Sequence, residues 1–221
     1  IEEAAREYEK AVAFAPGMEE YEANLASVCL ELERYGDAQE HIRKALDAGN
    51  SARSYLLAGD LGLAYGERAR AEAAYRVGLE LSPNDPGLLM ALGRCYLAGR
   101  EQKKAEDCAE KLRAADPARA EKLEGEILEA MTELLSCASC GRAWRFPRNL
   151  PSQSGESIRA MPPDESPAGL CPRCGKVYCI ACRKDELVEN RFTCPDCGET
   201  LKLSDNRLRY LVRQYLKKGA D

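Results

Sequence analysis

Histidine and tryptophan each occur once in this chain, as His41 and Trp144. With a single imidazole, the sequence offers no catalytic triad and no marked acid–base pair. A glycine-rich nucleotide-phosphate loop is missing as well. An enzyme is therefore the less favoured reading, and His41 is expected on the surface of its helix. No apolar run reaches the about 18 residues that a membrane-spanning helix needs. At 45% apolar and 31% charged residues, the chain does not have a disordered composition either. The first residue is Ile1, so the lack of a leader peptide carries little weight, and a preceding segment is expected.

Nor is there a strong excess of positive charge. Residues 1–135 hold 17 Lys+Arg against 27 Asp+Glu, and residues 136–221 hold 15 against 10. The second part looks weakly basic until its cysteines are considered. Two zinc ions, each bound by four thiolates, would bring it close to neutral. That argues against a strong nucleic-acid footprint.

What is present in the first part is a repeat. Ala71-x3-Tyr75-x2-Gly78-x4-Pro83 recurs 34 residues later as Ala105-x3-Ala109-x2-Leu112-x4-Pro117. Ala4-x3-Tyr8-x2-Ala11-x4-Pro16 has the same spacing, and so has Ala38-x3-Ile42-x2-Ala45-x4-Asn50. The preceding halves also match, at Leu25-Ala26-x2-Cys29, Ala58-Gly59-x2-Gly62 and Leu92-Gly93-x2-Tyr96. Apolar and small residues recur at i, i+3, i+4 and i+7, the period of a helix with one buried face. Ala and Gly fall where helices must cross closely, and Pro16, Pro83 and Pro117 each stop a helix. One such hairpin cannot bury its own face, so several must stack.

Over residues 1–118 this pattern resembles the tetratricopeptide repeat (TPR) family. The resemblance implies a second helix of a repeat at 1–16, whose first helix would precede Ile1. Full repeats follow near 19–51, 52–85 and 86–118. Residues 119–135 are expected to form one more helix, which caps the array with Leu123, Ile127, Leu128, Met131 and Leu135. Cys29, Cys95 and Cys108 fall on packing positions and read as core thiols. The family's groove positions are Ala23, Ser27, Leu30, Leu56, Asp60, Leu63, Met90, Arg94 and Leu97. A protein or peptide is the implied occupant, though some of these residues can equally be core. Family members that hold acidic chaperone tails present Lys, Asn and Arg there. Here Arg94 is the main cation, so that partner is not expected.

The second part carries four C-x-x-C pairs, Cys137/Cys140, Cys171/Cys174, Cys179/Cys182 and Cys194/Cys197. Pairs at this spacing read as metal sites rather than disulfides, and they suit a reducing compartment, the cytoplasm. A structural zinc takes four tetrahedral ligands, so four pairs make two closed sites with no position left for a catalytic water. Gly141, Gly175 and Gly198 each follow a pair, and Gly allows the positive φ of a zinc knuckle. Cys179/Cys182 instead runs into Arg183-Lys184-Asp185-Glu186-Leu187, read as the first turn of a short helix whose N-terminus favours thiolates. A knuckle paired with a helix-borne pair predicts Cys137, Cys140, Cys179 and Cys182 on one zinc and Cys171, Cys174, Cys194 and Cys197 on the other. The competing assignment puts Cys171, Cys174, Cys179 and Cys182 on one ion.

Order and spacing over residues 137–200 resemble the cross-brace zinc fingers, the RING, FYVE and PHD group. The four residues between the second and third pairs are closest to FYVE, but the basic, His-containing motif that grips a phosphoinositide is absent, so lipid binding is not expected. Cys194-Pro195-x-Cys197 is similar to the last pair of RING domains, although their usual His ligand and shorter gap are missing. Residues 146–170, with Pro147, Pro151, Pro162, Pro163 and Pro167, read as a mobile loop. Trp144 and Phe146 are expected to pack over the metal site. Ser204-Asp205 can cap a helix with Leu208, Leu211, Val212, Tyr215 and Leu216 on one face. Docking on the protein's own surface is its expected role.

The fold expected is thus an all-α TPR solenoid at 1–135, a small α+β treble-clef or cross-brace zinc domain at 136–203, and a terminal helix at 204–221. Three functions fit: a protein-interaction adaptor with two structural zinc ions, a RING-like ubiquitin ligase that selects substrate with its repeats, or a zinc-dependent TPR regulator of a protease or membrane complex.

Overall fold

A computed structural model describes residues 1–150, 162–188 and 191–218. It divides into two compact units, Ile1–Ala130 and Met131–Asp221. Among the described residues, no helix is long and apolar enough to cross a membrane.

The first unit is a stack of helices: α1 (Glu2–Phe14), α2 (Glu19–Glu31), α3 (Tyr35–Ala48), α4 (Ala52–Ala64), α5 (Arg68–Leu81), α6 (Pro86–Ala98), α7 (Gln102–Ala115) and α8 (Pro117–Met131). Three hairpins, α2–α3, α4–α5 and α6–α7, turn in the same way. Arg34, Glu67 and Glu101 donate their backbone N–H to the carbonyls of Cys29, Gly62 and Tyr96 at 2.8–2.9 Å. Each turn passes through a left-handed residue, Glu33, Gly66 or Arg100, so the closure repeats although only one of the three is glycine. Between hairpins the caps come from the sequence. Ser51 Oγ accepts from Ser54 N, and Asp85 Oδ1 accepts from Leu88 N with Pro86 in the first turn. Pro117 ends α7 and opens α8, where Asp116 Oδ1 accepts from Arg119 N.

Burial follows the small residues. Ala26, Ala38, Ala45, Ala71 and Ala105 are fully buried, beside Leu25, Cys29, Ile42 and Leu61 near one end and Leu88, Leu92, Leu112 and Leu123 near the other. Gly59 is the tightest crossing. A Cβ placed there would overlap the ring of Tyr75, itself completely buried. First helices also touch one another, α2 with α4 and α4 with α6, so they share one face of the stack.

Among its described residues, the second unit holds three two-stranded antiparallel sheets. These are β1 (Thr132–Ser136) with β2 (Ala143–Pro147), β3 (Pro167–Leu170) with β4 (Val177–Cys179), and β5 (Leu187–Val188) with β6 (Arg191–Phe192). Helix α9 (Asn206–Lys218) closes the chain, with Asp205 Oδ1 accepting from Arg207 N at 2.7 Å. It packs on β2 and β3, and Leu208 and Leu211 join a core of Trp144, Phe146, Val177, Tyr178, Ile180 and Leu201.

Two expectations need correction. The helix expected over 119–135 stops at Met131, and Leu134 and Leu135 lie in β1, paired with Arg145 and Trp144. Leu128, Met131 and Leu135 continue the helical apolar period, but strand pairing with β2 overrides that local signal. The stretch read as a loop over 146–170 begins in β2 and ends in β3; its residues 151–161 lie outside the described ones.

Gly59→Ala is expected to destabilise the helical stack by about 1–3 kcal/mol through the overlap with Tyr75. Gly125→Ala, in α8 with open space around it, should instead gain up to about 1 kcal/mol. Denaturant unfolding followed by circular dichroism separates the two.

Candidate functional site

Three of the four C-x-x-C pairs are built by one repeated turn. Cys137, Cys171 and Cys194 donate their N–H to the carbonyls of Arg142, Lys176 and Glu199, while Gly141, Gly175 and Gly198 donate back to the carbonyls of those same cysteines, all at 2.8–2.9 Å. The glycines sit at φ of 71–73°, a region costly for any residue with a Cβ. The turn leaves its first cysteine buried and its second more open. Cys179/Cys182 has no such turn. Arg183 and Lys184 both donate to the Ile180 carbonyl, and only a single 3-10 turn, Lys184–Glu186, follows before β5.

These turns gather eight sulfurs into two sets. Cys137, Cys140, Cys179 and Cys182 form one, and Cys171, Cys174, Cys194 and Cys197 form the other, with all Sγ atoms of a set within 4.8 Å of one another. Measured separations are 3.7 Å for Cys140–Cys179, 3.4 Å for Cys171–Cys197 and 3.6 Å for Cys174–Cys194. A disulfide needs about 2.05 Å. Four sulfurs at about 2.3 Å from a tetrahedral zinc would stand about 3.8 Å apart. Both sets could hold a metal ion.

Their electrostatics fit the same reading. Burial pushes the Cys137 thiol up, but the N–H groups of Cys140, Cys179 and Ser139 outweigh it and hold the group down at about 7. Cys194 is likewise raised by burial, and the N–H of Asp196, the Tyr178 hydroxyl and the N–H of Cys197 bring it to about 6. Once one sulfur of a set is charged, its neighbours resist. Contact with Cys179, burial and contact with Cys140 push Cys182 up to about 12. A divalent cation removes that repulsion, because a coordinating thiol is deprotonated outright.

Around the second set, Asp196 Oδ2 accepts from Lys176 Nζ at 2.6 Å and from Tyr178 Oη at 3.0 Å, and that hydroxyl lies 3.7 Å from Cys194 Sγ. Arg183, next to Cys182 in the chain, is only 4% exposed; its Nη2 donates to Glu186 at 2.6 Å, while its Nε is buried with no acceptor among the described residues. Trp144 is buried in the same core as Cys137 and Cys179 and donates Nε1–H to the Glu165 carbonyl at 2.8 Å. Trp144 is expected from sequence to pack over the metal site, whereas Lys176, Asp196, Tyr178 and the burial of Arg183 were not picked out from it. The only signal for Tyr178 is its place beside Cys179.

In the helical unit, Leu30 on α2, Leu56, Asp60 and Leu63 on α4, and Arg94 and Leu97 on α6 all keep some exposure. Ala23 and Met90 are buried, so they pack the array instead of offering a surface. Asp60 Oδ1 accepts from Tyr75 Oη at 2.7 Å, and Arg94 makes two bonds to Glu126 of α8, at 2.8 and 2.5 Å. His41 is not on the open surface. Its Nδ1 lies 2.6 Å from Glu22 Oε2, and Glu22 is 3% exposed. A 470 Å³ pocket lies beside this pair, lined by Val12, Pro16, Glu22 and Lys44.

No family model matches the chain. A thermophilic TPR protein of Thermus thermophilus superposes with a TM-score of 0.52 at 22% identity, over 57% of this chain and 71% of that one. The helical unit is a TPR-like solenoid. By sequence, 93 residues are 33% identical to the Hsp70-Hsp90 organizing protein of Triticum aestivum, 42% of this chain but only 16% of that protein. In the TPR-like array, Cys29, Cys95 and Cys108 lie buried at helix crossings, and burial raises all three thiols, Cys108 to about 11.

Trp144, 3% exposed, gives the second unit its own optical signal. Stripping metal with a chelator under reducing conditions is expected to shift its emission to longer wavelength as the core opens. Unchanged emission after complete metal loss would show that the sulfur sets do not hold this core.

Proposed function

We propose that this protein is an adaptor for protein–protein interaction, with a TPR-like array that receives a peptide segment and a second unit fixed by two structural zinc ions. Cys137, Cys140, Cys179 and Cys182 hold one ion, and Cys171, Cys174, Cys194 and Cys197 hold the other. The observation that carries the metal part is the closure of both sets: four sulfurs at tetrahedral spacing leave no ligand position for a reacting water. Zinc here supplies a cross-link. The interleaving of the sets along the chain, first pair with third and second with fourth, is the cross-brace arrangement. It cross-links the chain from Cys137 to Cys197 in a unit whose core is too small to stand on apolar burial alone.

The array part rests on the half-exposed apolar positions of α2, α4 and α6. Leu30, Leu56, Leu63 and Leu97 share a face with Asp60 and Arg94, and such a face suits a segment that inserts apolar side chains. A compartment that keeps thiols reduced, the cytoplasm, suits eleven cysteines of which none is in a disulfide.

Elemental analysis of the purified chain is expected to give two zinc per chain, and Cys174→Ser or Cys182→Ser should each lose one. A single zinc in the unaltered protein would remove the two-site arrangement. In a crosslinking pulldown, proteins recovered by the native chain should be lost from Leu63→Asp. A ubiquitylation assay with a panel of conjugating enzymes is expected to yield no chains; chain formation would favour a ligase instead.

A further inference from the structure

Of the nine positions named for the groove from sequence, two are ionisable, and the structure treats them differently. Arg94, the one cation among them, is taken by Glu126 in a two-bond pair. Its charge is neutralised, and its donors face a carboxylate of the same array. Asp60 is the opposite case. It accepts one hydrogen bond, from the Tyr75 hydroxyl, and no cation stands beside it among the described residues. Burial pushes its carboxyl up, partly offset by the Tyr75 bond, as expected for an acid short of compensating charge. One carboxylate can accept several hydrogen bonds, so acceptor capacity remains after Tyr75 is served. The surroundings have the same sign, since residues 1–135 carry 27 acidic against 17 basic side chains.

We infer that the groove selects an apolar peptide bearing a Lys or Arg, whose cation pairs with Asp60 between Leu56 and Leu63. This rests on the groove being the peptide site. It names the chemistry of the occupant: apolar side chains against Leu30, Leu56, Leu63 and Leu97, a cation at Asp60, and no carboxylate-rich tail. An acidic tail would meet an unpaired carboxylate and an arginine already engaged, both unfavourable. The acidic array also speeds encounter with a cationic partner and slows an anionic one.

The test uses the full, zinc-loaded chain and two labelled amphipathic peptides of identical Leu/Ala/Phe content, one carrying Lys on its polar flank and the other Glu. Fluorescence anisotropy at low salt is expected to show the Lys peptide binding about tenfold tighter or more. Asp60→Asn keeps an oxygen for Tyr75 and should erase most of that preference while leaving the array folded. Arg94→Ala frees Glu126 and should not weaken the Lys peptide. Equal or tighter binding of the Glu peptide, or a preference untouched by Asp60→Asn, overturns the cationic partner while the groove stands. If neither peptide binds, or if Leu63→Asp leaves binding unchanged, the groove itself is not the site and both readings fall.

Discussion

A helical hairpin has one apolar face and nothing of its own to set against it. Everything in the first unit follows from that constraint. The stack has to bring helices close enough for small side chains to meet, and the repeated Ala and Gly positions allow it. At Gly59 the approach is so close that the Tyr75 ring occupies the space a Cβ would need. The same ring sends its hydroxyl to Asp60, so a packing contact between two helices also holds a carboxylate of α4 in place. Tyr75 thus serves both the helix crossing and the position of that carboxylate.

The second unit meets the same shortage of burial by a different route. Its strands are two to five residues long and too few to close a core by pairing. Here the cysteines belong to the core: Cys137, Cys171, Cys179 and Cys194 are buried among Trp144, Phe146, Tyr178 and Ile180. Repetition serves the array, while in this unit the cysteines themselves fill out the core. Each answers the fact that short elements bury too little apolar surface to offset the entropy of ordering them.

The contrast between Arg94 and Asp60 shows why groove chemistry cannot be taken from residue identity alone. In sequence, Arg94 is the main cation among the groove positions, and on that ground alone an acidic-tail partner is not expected. Its pairing with Glu126, 32 residues away, depends on how α6 and α8 pack. His41 gives a parallel lesson: its helix suggested a surface residue, and the neighbouring α2 supplies the buried Glu22 that holds it.

Sequence by itself determined the helical unit almost completely. Helical period, hairpin spacing, capping residues and small crossing positions are local, and they repeat, so each copy reinforces the others. It also named the eight cysteines and the glycines at their turns, because a C-x-x-C-G turn is encoded within a few residues. Tertiary structure decided what depends on distant neighbours. Leu134 and Leu135 became strand once β2 lay beside them. The sulfurs came together in two sets, one of them joining Cys137 to Cys179, 42 positions further along the chain. Lys176, Asp196 and Tyr178 came together around Cys194. Short-range chemistry writes turns and helices into the chain, whereas charge pairing and strand pairing exist only after folding has brought remote residues within reach.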